Sequence, residues 1–382
     1  MMDWRALRVA LVHDWLTGMR GGERALEVMC ELFPQADLYT LVARPERLSP
    51  TLAGMRILPS VLQNLPGGVK HYRHYLPLLP WIIRRFRLQG YDLVLSSSHA
   101  VAKGARVSPF TPHVCYLHAP LRYMWDSFDE YFGPGRASLP VRLAARALRG
   151  PLRRWDWRSA QRVQRFLVAG RNIQEQARRL YGRSATIVGG PVRLERFAPA
   201  PRREDFYLMV GAFAPNKRVP LAIEAFNRLG SPLWIVGGGQ EEARCRALAG
   251  PTIRLLGEVS DEDIASLYGR ARAFIFPGVE DFGLTPLEAQ ASGTPVLAFA
   301  AGGALETVTP QTGILYAEPG PEGLMAAVRQ FEADPARFTV AACQANAQRF
   351  SRERFRANLE QVLEETLTAF RAGGMEALRK WW

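Results

Sequence analysis

Cysteine is scarce, with four in 382 residues. Cys30, Cys115, Cys245 and Cys343 are widely scattered. No pair has metal-ligand spacing, and nothing resembles the framework of a disulfide-stapled scaffold. The scatter suits a reducing cytoplasm and thiols that fill cores. Long apolar runs are missing too. None reaches the ~18 residues of a membrane-spanning helix. The short run 9–12 follows an arginine-flanked start, but it is too brief for a signal-peptide core and His13-Asp14 cuts it. The dinucleotide fingerprint G-x-G-x-x-G is absent, as is a phosphate loop ending in Gly-Lys-Ser/Thr. The six histidines include no H-E-x-x-H and no other metal spacing, so no metal site is expected. His71, His74, His99 and His113 attract no functional reading.

Acids are few beside bases: 36 Asp+Glu against 49 Lys+Arg, a formal net charge of +13. Two segments carry the whole excess. Residues 70–89 hold five basic residues and no acid, and residues 136–165 hold nine arginines and one aspartate. In the first segment Leu76, Leu78, Leu79, Trp81, Ile82, Ile83 and Phe86 interleave with Arg84, Arg85 and Arg87. Pro77 and Pro80 argue against one long helix there. The segment reads either as a solvated helical hairpin or as an apolar wedge with basic flanks for an anionic membrane surface; the membrane reading is preferred. In the second segment Arg142, Arg146, Arg149 and Arg153 have helical spacing, with Leu143, Leu148 and Leu152 beside them. Gly150-Pro151 is expected to break that helix. No helix-turn-helix, RNA-recognition or zinc-finger pattern accompanies the arginines, so nucleic acid is not the expected partner. Anionic lipid head groups or a lipid diphosphate acceptor fit an amphipathic arginine face as well.

The length suits two domains, each able to bury a core. Strands are expected over 8–13, 38–42, 91–96, 113–117, 166–169 and 186–188, with helices between, and Gly189-Gly190-Pro191 reads as a linker. The pattern restarts at Phe206: strands over 206–210, 233–236 and 253–256 alternate with helices. Such alternation means parallel sheets covered on both faces. The domains are placed at 1–195 plus about 360–382, and 196–359. A last helix over 350–370 carries Phe355, Leu359, Val362, Leu363 and Leu367 at helical spacing. Trp381-Trp382 ends the tail, either as an interfacial anchor or packed on the first domain.

The stretch 274–308, FIFPGVEDFGLTPLEAQASGTPVLAFAAGGALETV, organises the rest. It reads strand, loop, short helix, strand. Thr285 is expected to cap the helix, with Pro286 first inside it and Glu288 three residues after the cap. Glu280 lies in the loop and Glu288 in the first turn, so both stand at the carboxyl end of a parallel sheet, where open α/β sheets bind ligands. Glu288 alone is as well explained by helix capping as by ligand contact. Near the start, a strand, the loop 14–23 and a helix from about Glu23 place Gly21-Gly22 where backbone amides either approach a phosphate or sugar, or simply make a turn.

The whole string resembles the E-x(7)-E signature of retaining glycosyltransferases, in particular glycosyltransferase family 4. Both acids, the Phe-Gly-Leu-Thr-Pro between them and the following Ala-Ser-Gly-Thr-Pro-Val carry the likeness. The resemblance implies a GT-B fold: two Rossmann-like, doubly wound α/β domains facing a cleft, the last helix crossing back to the first domain. It implies that Glu280 contacts the donor sugar, Glu288 the ribose, and the amides at Phe282, Gly283, Leu284 and Thr285 the diphosphate. Lys217 would neutralise that diphosphate. An arginine usually stands five residues before it, where this chain has Ala212, leaving Lys217 alone or Arg218 in support. Val259, in Gly257-Glu258-Val259, matches the loop that cups the base. Gly21 and Gly22 would close over the donor, and His118, at a strand's carboxyl end, would lie near the reacting carbon.

The activity so implied is retaining glycosyl transfer from a sugar nucleotide, with no cofactor. The likeness to bacterial mannosyltransferases of surface-polysaccharide assembly suggests GDP-mannose as donor. The acceptor would be a membrane-bound, lipid-linked glycan, and the protein would sit in the cytoplasm against the inner face of the membrane. The rival readings are a nucleotide-sugar epimerase of similar fold and a non-catalytic basic scaffold.

Overall fold

The computed structural model describes residues 2–382. It divides into two compact units, Met1–Pro191 with Phe355–Trp382, and Val192–Arg354. The first unit is built on seven parallel strands: β1 (Val9–His13), β2 (Asp37–Thr40), β3 (Arg56–Pro59), β4 (Leu93–Ser98), β5 (His113–Leu117), β6 (Arg165–Val168) and β7 (Ala185–Ile187). Their spatial order is β3-β2-β1-β4-β5-β6-β7. The second unit has six parallel strands: β8 (Tyr207–Val210), β9 (Leu233–Val236), β10 (Ile253–Gly257), β11 (Phe274–Phe276), β12 (Val296–Phe299) and β13 (Gly313–Tyr316). They run β10-β9-β8-β11-β12-β13.

Each sheet therefore winds outward from its first strand, returns, and winds the other way. The central strands are apolar without alternation because helices cover both faces; all five residues of β1 are buried. Winding reverses between β1 and β4 in the first sheet and between β8 and β11 in the second. At such points the loops leaving the carboxyl ends diverge and open a crevice.

The sequence reading of the strands holds, with two omissions in the main sheets, the edge strands β3 and β13. Edge strand β3 escapes the sequence reading because none of its four residues RILP is buried, so it lacks the run of core residues that marks a central strand. Residues 70–89 form no long helix. They give a 3-10 turn, Tyr72–Tyr75, and a short helix, Leu79–Ile83. Most of the apolar side chains there serve the core: Leu79, Ile82, Ile83 and Phe86 are buried, whereas Leu78 and Trp81 are exposed.

The expected break at Gly150-Pro151 is corrected. Leu139–Ala160 is one helix with Pro151 inside it. Gly150 has no Cβ to clash with the proline ring, and both residues face solvent, where water can serve the carbonyl that Pro151 leaves unpaired. The final helix, Arg352–Gly373, brings the chain back to the first unit. There Arg165 donates to Thr366 Oγ1 at 3.1 Å and Glu365 Oε2 at 3.0 Å, and Phe355 meets Tyr116 edge-on. The terminal tryptophans pack on this unit, Trp381 under the Arg165 guanidinium at 4.1 Å and Trp382 beside Arg183 at 4.9 Å.

Candidate functional site

At the first reversal, β1 ends in His13 and continues to Asp14, and β4 ends in Ser97 and Ser98. Neighbouring strand β5 delivers His118. These residues form a buried polar cluster. Ser97 Oγ lies 3.1 Å from His13 Nδ1 and 2.8 Å from His118 Nε2. Asp14 is fully buried and accepts four backbone N–H groups, from His99, Ala100, Val101 and Ala102, at 2.6 to 3.0 Å. Burial alone would raise its pKa, but His99, His13 and the amides hold it below the usual carboxylate range. That anchor fixes the loop leaving β4, and His99 Nδ1 lies 3.3 Å from Asp14 Oδ2.

Gly21 and Gly22 are not in a loop, as expected, but open the helix Gly21–Leu32. Glu23 stabilises that start by accepting from the Arg20 amide at 3.1 Å. A Cβ added at Gly22 would lie 3.6 Å from His13 and 3.7 Å from His118 Nε2. Any side chain there would cover the imidazoles.

At the second reversal, the turn after β8 carries Lys217 and the loop after β11 carries Glu280. Their side chains pair directly. The two loops touch at Gly278, where a Cβ would come within 2.6 Å of Asn216 O and 2.9 Å of the Lys217 Cα, so only glycine allows the approach. Gly303 donates its N–H to Glu280 O at 2.8 Å and holds the loop from the other side.

The helix that follows corrects the capping expectation. It runs Leu284–Ala291, with Gly283 as N-cap at φ 87°. Thr285 is already inside, and Glu288 is too far along to cap. The left-handed turn at Gly283 starts the helix before Thr285 can do so. Glu288 is instead buried, and its Oε2 accepts from Tyr268 Oη at 3.1 Å. Thr285 Oγ1 is buried without a hydrogen-bond partner. The first-turn amides have no intrahelical acceptor and suit an anion. Phe282 packs edge-on against Phe350, leaving only its backbone for a ligand. Val259 lies half-buried in the turn between β10 and the helix Asp261–Arg270. Arg218 has φ 54°, and its guanidinium sits over Phe299 at 4.8 Å, turned toward the ring.

The second unit thus gathers Lys217, Glu280, Glu288, Thr285 and the amides of 282–285. The first gathers Gly21, Gly22 and His118, and adds His13, Asp14, Glu23, Ser97 and His99. The added group has a weak signal in the sequence: polar residues ending apolar strands. Among the described residues, no cluster of three or more His, Cys, Asp or Glu side chains could hold a metal ion.

Residues 193–350 match the family described as glycosyl transferases group 1. A GDP-mannose-dependent monoacylated alpha-(1-6)-phosphatidylinositol monomannoside mannosyltransferase of Corynebacterium glutamicum is 38% identical over 110 residues, 26% of this chain and 28% of that protein. A glycogen synthase of Mycobacterium tuberculosis is 31% identical over 224 residues, 53% of this chain and 52% of that protein. O-antigen chain mannosyltransferase B of Escherichia coli is 33% identical over 107 residues, covering 25% and 28%. The chain therefore spans between 28% and 52% of the length of these relatives. Among solved structures, Anabaena Alr3699/HepE in complex with UDP superposes with a TM-score of 0.70 at 16% identity, over 94% of this chain and 100% of that one. The sucrose-phosphate synthase of Thermosynechococcus elongatus also gives 0.70, at 20% identity over 95% and 100%. The fold is GT-B.

Proposed function

We propose that this chain, whose residues 193–350 match the glycosyl transferases group 1 family, is a retaining glycosyltransferase. It moves mannose from GDP-mannose to a lipid-linked glycan at the cytoplasmic face of a membrane, in surface-polysaccharide assembly. The observation that carries the transferase reading is the meeting of Lys217, Glu280 and a helix start at the second sheet's reversal. A cation and bare amides suit a diphosphate, and carboxylates suit sugar hydroxyls. The mannosyl donor is supported by the names of two relatives.

In this reading the nucleotide ribose meets Glu288 and the sugar meets Glu280. Lys217 and the amides of 282–285 take up charge as the glycosidic bond breaks. The leaving phosphate removes the acceptor proton on the same face, so Glu280 stabilises charge rather than attacking carbon. No resident metal is required by this scheme. Calorimetry with GDP- and UDP-sugars, followed by transfer to a lipid-linked acceptor, tests it. GDP-mannose is expected to bind in the micromolar range, and Glu288→Ala to weaken it at least tenfold. Failure of every sugar nucleotide to bind at millimolar concentration would overturn the reading.

A membrane partner is supported by charge and exposed aromatics. Arg84, Arg154, Arg158 and Arg162 line a pocket of about 320 Å³ with no acid among its lining residues. Trp81 and Trp157 are 59% and 46% exposed, and Trp81 lies under the Arg85 guanidinium at 4.6 Å. Amphipathic rings among arginines suit an anionic lipid surface. No helix among the described residues is long and apolar enough to cross a membrane. Anionic vesicles are expected to sediment the protein at low salt and release it at high salt. Equal sedimentation with neutral vesicles would contradict the electrostatic component.

A further inference from the structure

We propose that Glu23, His13 and Ser97 are positioning residues that hold His118 as its Nε2–H tautomer, leaving the Nδ1 lone pair to accept a hydrogen bond from a sugar or acceptor hydroxyl. The inference rests on reading His118 as the group near the reacting carbon.

The argument follows one proton at a time. Ser97 Oγ sits between two imidazoles, 3.1 Å from His13 Nδ1 and 2.8 Å from His118 Nε2. A hydroxyl has one proton, so it donates to one ring and accepts from the other. The far side of His13 decides which. His13 Nε2 is buried, has no hydrogen-bond partner and lies 3.9 Å from Glu23 Oε1. Burial opposes the charge on Glu23, but His13 and His99 hold its pKa below the ordinary value, so it is a carboxylate. A lone pair on His13 Nε2 would face that carboxylate repulsively, whereas an N–H is attracted to it. In its neutral form His13 therefore carries its proton on Nε2 and accepts at Nδ1. Ser97 donates to His13, and its oxygen accepts from His118 Nε2–H.

His118 has no second proton to give. Burial, then His99 and His13, push its pKa well below the ordinary histidine value, so the ring is neutral. Among the described residues no hydrogen bond engages Nδ1, and the ring is partly exposed. An imidazole in this state accepts from a hydroxyl. It is the wrong partner for a diphosphate, which needs donors. Orientation of one histidine by another group is a known way to select its tautomer, and here the selecting charge stands two groups away.

Long-range 1H–15N NMR on the full chain labelled with 15N-histidine tests this without any substrate. The expected pattern places the proton of His118 on Nε2, and Ser97→Ala is expected to convert it to a mixture of tautomers. Ser97→Thr, which keeps the hydroxyl, should restore the single form. An Nδ1–H pattern at His118 in the wild-type protein overturns the proposal, as does a tautomer unchanged in Ser97→Ala. With GDP-mannose as donor, Ser97→Ala should lower kcat ~10- to 100-fold at unchanged donor KM, and Ser97→Thr should recover most of it. If no donor is turned over, the transferase reading fails while the NMR result still stands or falls alone.

Discussion

Asp156→Ala is expected to destabilise the first unit by ~3–5 kcal/mol, the cost of stranding a buried charge. Asp156 and Lys103 are both fully buried, with Lys103 Nζ 2.6 Å from Asp156 Oδ1. The other carboxylate oxygen accepts from Trp125 Nε1 at 2.8 Å and Tyr181 Oη at 2.7 Å. Removing the carboxylate leaves an ammonium whose remaining acceptor is Ala100 O at 2.9 Å, and it strands two neutral donors as well. Lys103→Met should cost clearly less, because Asp156 keeps those two donors. The double variant should be less harmed than the sum of the singles. Urea unfolding followed by tryptophan fluorescence reads all three. A loss under ~1 kcal/mol for Asp156→Ala would mean that water reaches Lys103, contradicting the burial. The same aspartate holds Trp125. Arg149 and Arg153 donate to the carbonyls of Met124 and Trp125. The arginine-rich helix is thus fastened to the segment that begins at His118.

The second large effect concerns Lys217, with Glu280 as its counterpart of opposite sign. Each is 19% exposed, and they pair with each other, so a diphosphate bound as proposed would compete with Glu280 for the ammonium. Lys217→Ala is expected to weaken GDP binding ~10- to 100-fold, the scale of one charged hydrogen bond. In the proposed transfer it should lower the rate by ~10²–10³, since the same charge would stabilise the departing phosphate. Glu280→Gln should behave differently. It frees Lys217, so GDP binding should hold or tighten while transfer falls. No cation replaces Lys217 at Ala212, and Arg218 is turned to Phe299. Calorimetry and initial rates on both variants decide the matter. Equal losses of GDP affinity in the two would mean that Glu280 holds the nucleotide rather than the sugar.

How much was legible beforehand differs by element. Glu280, Glu288 and Lys217 were visible because loops after apolar strands in a repeating pattern must lie at the carboxyl ends of a sheet. The Glu288 partner was not, since Tyr268 belongs to another helix twenty residues away. The cap is not legible because a left-handed glycine, like Gly283, leaves no periodic trace. Pro151 misled because exposure, which makes it tolerable, is a tertiary property.

By itself the order of amino acids determined the alternation of buried strands and covering helices, the restart of that alternation at Phe206, and the location of positive charge. Apolar periodicity and glycine or proline punctuation act locally, so they can be read locally. Only the tertiary structure decided that Ser97 lies between His13 and His118, that Lys103 finds Asp156, and which apolar side chains of 70–89 reach the core. Those pairings join residues brought together by crossovers. A crossover fixes its partners through strand order and register, which no local repeat encodes.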